Sequence, residues 1–186
     1  MRVERARLAQ ELRDYVYAQN GLFIESKCYR AMNSFPFGPF HDALDAYLAH
    51  FQRKPEFQRN DAAGAMRREL GGLGGVILRL NDEMGALLGP CPPLVAIDPE
   101  RDTQRFLLVA GSFFRLLAEI EQSLVIQIDD LQWADAASLD LLAYLSHRLA
   151  GRRICLVACR RPDGVHDGGQ VDRLLVDLAE EGSVMI

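Results

Sequence analysis

One run constrains this chain more than any other: Leu124-Val125-Ile126-Gln127-Ile128-Asp129-Asp130-Leu131-Gln132-Trp133-Ala134-Asp135. A short apolar strand ends in two adjacent carboxylates, Asp129 and Asp130. Trp133 follows, and then a third acid, Asp135, placed to start a helix. Residues rich in Val and Ile suit a strand buried on both faces, as in a parallel sheet. Carboxylates just past the carboxyl end of such a strand lie where open α/β sheets bind ligands. Hydrated Mg²⁺ takes one or two hard oxygen ligands, and a water attacking a phosphate takes a carboxylate beside it. By spacing alone the acidic pair reads equally as such a site or as turn carboxylates capping nearby amides.

A site of that kind needs a phosphate-cradling glycine loop, and G-x-x-x-x-G-K-[ST] occurs nowhere in the sequence. Lys27 and Lys54 are the two lysines, and neither follows a glycine loop. Gly71-Gly72-Leu73-Gly74-Gly75 has no Lys, Ser or Thr after it and falls inside a helical pattern. It reads as a weak spot or break in a helix.

With 186 residues, 49% of them hydrophobic, the chain is long enough for one domain with a real core. A net charge of −5 and the lack of a basic stripe argue against gripping nucleic-acid backbone. The longest uncharged stretch, Met84 to Ile97, is interrupted by Pro90, Pro92 and Pro93, so no membrane span is expected. Met1-Arg2-Val3-Glu4-Arg5 leads into charged helix, with no signal peptide. Cys28, Cys91, Cys155 and Cys159 show no C-x-x-C spacing and read as buried free thiols. A cytoplasmic, reducing compartment fits best.

Leu8, Leu12, Tyr15 and Val16 form the stripe of an amphipathic helix over about residues 4–19, and Leu22 opens a strand to Lys27. Residues 28–37 read as a loop, after which Gly38-Pro39 opens a helix carrying Phe40, Leu44, Tyr47, Leu48 and Phe51. Helical spacing over 62–80 and around 81–88 precedes a Pro-rich loop. Asp98-Pro99 then starts a long helix whose aromatics, Phe106 and Phe113 among them, read as core. Asp135 caps a helix that stops at Gly151. Ile154–Cys159 is a second buried strand, Arg160–Gly164 a turn, and Val171–Leu178 the last helix; Ser183–Ile186 begins another strand. Alternating strands and helices predict an α/β fold with a three-layer parallel sheet.

The string from Leu124 through Ala136-Ala137-Ser138-Leu139 resembles the Walker B strand and following helix of AAA-related signalling ATPases. These are the STAND-type class (signal-transduction ATPases with numerous domains), with origin-recognition-like AAA modules among their relatives. Phe35-Pro36-Phe37-Gly38-Pro39-Phe40 looks like the aromatic-Pro lead-in to the second helix, and Asp102–Phe114 resembles the long helix before Walker B. Ile154–Asp163 looks like the next strand and its sensor turn. The resemblance covers nearly the whole chain. It implies a P-loop NTPase (ASCE/AAA) sheet, incomplete, with a helical insertion before the Walker B strand.

The pattern departs at both ends. Leu8–Leu12 matches the helix after the P-loop, so Arg5 and Ala6 fall where the family has Lys and Ser/Thr, and Arg2 and Glu4 where it has glycines. Those side chains spoil a backbone nest, and Ala6 has no hydroxyl for Mg²⁺. The resemblance therefore implies a partial ATPase domain over 1–186, an internal piece of a larger protein rather than an evolved nucleotide-free module. In this fold the strand lost with the loop is central. The Ile154–Cys159 strand is then left with an open edge, and Ser183–Ile186 either fills the vacancy or stays unpaired. A complete five-strand sheet from this chain alone would contradict the alignment.

As the resemblance implies, Asp129 holds Mg²⁺ directly or through water and Asp130 polarises the attacking water. Asp135 reads as a helix cap, and Trp133 as packing under the nucleotide edge. Arg161 is placed to sense the γ-phosphate. Arg160 beside it competes for that role, and a solvated pair is an equally good reading. ATP and Mg²⁺ are the cofactors expected of the parent domain. The partners expected are attached kinase, sensor or transcription modules, with self-association possible. Two function classes remain: part of an ATP-hydrolysing switch domain, inactive in isolation, or a nucleotide-free interaction module that keeps the shape. A phosphoacceptor receiver fits less well, because no Lys follows a late strand.

Overall fold

The structure, a computed structural model, describes residues 2–30, 36–149, 151–161 and 168–180. In chain order the elements are α1 (Arg2–Ala18), β1 (Leu22–Lys27), α2 (Gly38–Gln52), α3 (Glu56–Leu70) and the short α4 (Gly74–Ile77) and α5 (Gly85–Leu88). Then come α6 (Pro99–Ile120), β2 (Leu124–Asp129), α7 (Ala136–Arg148), β3 (Ile154–Ala158) and α8 (Gly168–Glu180). Single 3₁₀ turns occupy Gly71–Leu73, Asp82–Met84 and Leu131–Trp133.

The sheet is parallel in the order β1-β2-β3 among the described residues. Leu22 stands opposite Leu124 and Lys27 opposite Asp129, while Leu124 pairs Ile154 and Ile128 pairs Ala158. A strand in the middle of a parallel sheet is covered on both faces, which is why β2, Gln127 and Asp129 aside, is apolar without alternation. Leu124 through Ile128 are all buried. Alternate side chains then sort to two layers. Leu22, Ile24, Leu124, Ile126 and Ile128 join the main core beneath α2, α6 and α7. Phe23 and Val125 face the other way, against Val16 of α1.

The main core is aromatic where α6 crosses α2. Asp98 caps α6 by accepting from the Arg101 amide at 3.0 Å, and Pro99 sits at the first helical position, where no N–H is needed. Phe40, Phe113 and Phe114 are fully buried, with Phe114 edge-on to both of the others. Each contributes about 2–3 kcal/mol by leaving water. Among the described residues, five helices stand between β1 and β2. They lengthen the crossover and add a helical layer built on α3 and α6.

The break read at the glycines falls where expected: α3 ends at Leu70 because Gly71 adopts φ 50°, ψ −130°, outside helical geometry. Three expectations need correction. The stripe on α1 is mostly uncovered: Val16 is buried, but Leu8 and Tyr15 are exposed, since only the C-terminal half of α1 lies on the sheet. The third strand is not buried, because β3 has a neighbour on one side only among the described residues. For the same reason Cys155 is exposed and Cys159 half-buried; of the four thiols Cys28 alone is fully buried. The sheet has three strands among the described residues, consistent with the incomplete sheet expected, and the placement of Ser183–Ile186 lies outside them. No helix among the described residues is long and apolar enough to cross a membrane.

Candidate functional site

Parallel strands end together, so the carboxyl edge of the sheet gathers Lys27 from β1, Asp129 from β2 and the turn after β3. Three backbone bonds fix this edge. The Cys28 amide donates to the Asp129 carbonyl at 2.9 Å, and the Cys159 amide to Ile128 at 2.8 Å. The Leu131 amide then donates to the Cys159 carbonyl, also at 2.8 Å. To make that last bond the chain turns sharply at Asp130, which takes a left-handed conformation, φ 55° and ψ 42°. The conformation costs a side-chain-bearing residue about 1–2 kcal/mol, and a short polar side chain tolerates it best.

The side chain of Asp130 is held on several sides. Arg161 grips it with two parallel bonds, Nε to Oδ1 at 2.8 Å and Nη2 to Oδ2 at 3.0 Å. Gln132 Nε2 donates to Oδ1 at 3.2 Å, and Lys27 Nζ lies 3.3 Å from Oδ2. The Asp130 side chain is only 11% exposed. Burial pushes its carboxyl up, but the hydrogen bonds from Arg161, Gln132 and Lys27 outweigh burial and hold it below its ordinary value. Gln132 does double duty, because its Oε1 accepts from the Arg161 amide at 3.2 Å.

Asp129 differs. Its Oδ1 accepts from Gln127 Nε2 at 3.1 Å, and it makes no ion pair among the described residues. Next to it, the Cys28 thiol is pushed up to about 12, first by burial and then by the charges of Asp135, Asp130, Asp42 and Asp129. Four carboxylates thus project a negative field onto one buried point. A carboxylate without a cation in such a field is a fitting ligand for a hydrated divalent ion.

Asp135 is a helix cap, as its position before α7 suggests. Its Oδ1 accepts from the Ser138 amide at 2.9 Å and also from the Phe37 amide at 3.3 Å. One side chain therefore ties the start of α7 to Phe37, which turns left-handed, φ 65°, to open α2. Trp133 is half-buried, with the Arg30 guanidinium 5.1 Å from its ring centre. Sequence reasoning gave Arg30 no role, and the structure stacks it on Trp133. It also separates the two arginines of the turn. Arg160 pairs with Asp172 of α8, and Arg161 turns to Asp130.

The sequence reading missed Lys27 and Gln132. Lys27 carried a signal, a rare lysine at the last position of a strand, but its partner lies across a register that no local pattern specifies. The crevice between Lys27, Cys28, Pro39, Trp133 and Asp135 has a volume of 10 Å³, about enough for one water. Residues 2–6, which the resemblance places at the phosphate loop, lie within α1. The described residues therefore fit the metal half of a nucleotide site and supply no glycine nest for phosphate.

A family model described as an AAA ATPase domain matches residues 5–157. The chain belongs to the AAA ATPase domain family. The match runs from α1 into β3 and takes in Lys27, Asp129, Asp130 and Trp133, while Arg161 lies beyond it. Membership in the AAA ATPase domain family carries with it ATP and Mg²⁺ as the ligands used by the parent domains. No curated protein and no solved structure matches the chain.

Proposed function

We propose that this AAA module is the metal-and-water half of an ATP-dependent switch domain in a larger, cytoplasmic, STAND-type signalling protein, and that it is held off in the conformation described. The observation that carries the reading is the unequal treatment of the two carboxylates. Among the described residues Asp129 pairs with no cation, which leaves it available to Mg²⁺. Asp130 is gripped by Arg161 and Lys27 and cannot accept a proton from water until both let go. In this reading β2 is the Walker B strand, the helices from α3 to α5 are an insertion, and Arg161 exchanges Asp130 for a terminal phosphate when nucleotide is bound. The attached partners are kinase, sensor or transcription modules.

A second reading is favoured by the helical conformation of residues 2–6 and the small size of the crevice at Trp133. In it the chain is a nucleotide-free interaction module with the ATPase shape. Titration calorimetry with Mg-ATP separates the two. Binding tighter than about 100 µM that needs Mg²⁺ and is lost in Asp129→Ala supports the switch reading. Binding that is indifferent to Mg²⁺ and unchanged in Asp129→Ala overturns the metal role of Asp129 and with it the switch reading.

A further inference from the structure

We propose that the open cavity where α3 ends is a binding site for a small organic anion with a short apolar tail. It lies apart from the sheet edge, among helices that the nucleotide reading does not use. Its volume is 340 Å³, at the small end of ligand pockets, which run about 300–1,000 Å³.

The cavity exists because its wall lacks side chains at chosen points. Gly71 and Gly89 both have positive φ, 50° and 72°, so a residue with a side chain is strained at either. At Gly74 an added Cβ would come within 2.9 Å of the Cys91 sulfur. What remains is a wall of two kinds. Leu70 and Leu88 are buried apolar side chains at its base. Arg67 supplies a positive charge.

The placement of Arg67 argues for an anion. Nε donates to the carbonyls of Leu87 at 3.0 Å and Leu88 at 3.1 Å, and Nη2 to Leu87 at 2.8 Å. These bonds cap the end of α5 and fix the guanidinium, yet carbonyl oxygens carry no net charge to cancel it. Arg67 makes no ion pair among the described residues, in a chain with excess acid. A fixed, unneutralised guanidinium beside leucine side chains matches a carboxylate head with a few carbons behind it.

Cys91 lines the same cavity and serves as the reporter. The intact chain is alkylated in parallel with iodoacetate and iodoacetamide, and each thiol is followed by peptide mass mapping. Exposed Cys155 is the internal reference. The charge of Arg67 is expected to raise the iodoacetate-to-iodoacetamide rate ratio at Cys91 about fivefold to tenfold over that at Cys155. Arg67→Gln, which keeps a donor for the carbonyls, brings the two ratios together. Hexanoate protects Cys91 from iodoacetamide, and hexan-1-ol at the same concentration does not. Equal ratios at the two thiols, a ratio unchanged in Arg67→Gln, or equal protection by the alcohol each overturn the proposal. If Arg67→Gln does not fold, the wild-type ratio and the protection pair decide.

Discussion

Glu121 follows the last residue of α6 and leads into β2, and its side chain is 5% exposed. Its Oε2 accepts from Lys54 Nζ at 2.7 Å and from His50 Nε2 at 3.2 Å, while Oε1 is buried without a hydrogen-bond partner. Burial pushes the carboxyl up, and the bonds from His50 and Lys54 outweigh it, holding the group below its ordinary value. Lys54→Met together with His50→Leu removes both donors and strands the carboxylate. Breaking a buried pair in this way costs about 3–5 kcal/mol. The lower part of that range applies, because Lys54 and His50 are themselves partly in water. At about 2–4 °C per kcal/mol for a chain of this size, a loss of about 3–4 kcal/mol lowers Tm by roughly 6–16 °C.

The pH dependence changes sign with the double variant. In the wild type the folded value lies below the ordinary 4.5, so this contribution is fully present above 4.5 and is lost as pH falls through the folded value. In the variant burial prevails over the neighbouring Tyr47 hydroxyl, the folded value lies above the ordinary one, and stability falls as pH rises through that interval. Urea unfolding between about pH 4 and pH 7 reads both effects. Adding Glu121→Leu restores most of the loss, since replacing a whole buried ionic group by apolar side chains is close to neutral. If the triple variant is no more stable than the double, or the double loses less than about 1 kcal/mol, the reasoning about the stranded carboxylate is wrong.

Three further outcomes are expected. Asp135→Ala removes the cap of α7 and the acceptor for the Phe37 amide, costs about 1–2 kcal/mol, and lowers Tm in a thermal melt; an unchanged Tm would contradict the shared role of that carboxylate. Asp130→Asn keeps a short polar side chain at the left-handed turn and gives up two ion pairs whose cations are half exposed, so stability changes by no more than about 1 kcal/mol. A larger loss in urea unfolding would show that the turn depends on charge. Under native conditions a disulfide reagent modifies Cys155 first and Cys28 last, the latter about a hundredfold slower or more because its thiol stays protonated and buried. Early modification of Cys28 would show that the sheet edge opens readily.

What the sequence made legible was whatever local chemistry decides. Asp98-Pro99 starts α6 and Asp135 starts α7 because a cap acts within three residues of itself. The run into Asp129 reads as a strand because a middle strand is apolar on both faces, with Gln127 the one polar residue before Asp129. The exposure of Leu8, Tyr15 and Cys155 was not legible, because their periodicity is satisfied and only the absence of a covering neighbour exposes them. Lys27 and Arg161 meet Asp130 through a parallel register and a turn at three separate places in the chain. The left-handed turn at Asp130 was hidden for a related reason: the bond from the Leu131 amide to Cys159 demands it, and that partner lies in another strand.

The register of β1 on β2 also bears on how the chain folds. Leu22 pairs with Leu124, roughly a hundred residues away along the chain, whereas Leu124 and Ile154 are joined by α7 alone. Closing the longer loop demands more entropy before any contact is made, and contacts of high sequence separation form slowly. The β2–α7–β3 unit is therefore the natural nucleus, and β1 docks late. The ion pair between Lys27 and Asp130 is among the last contacts to form, so the carboxylate stays loosely held until the sheet is complete.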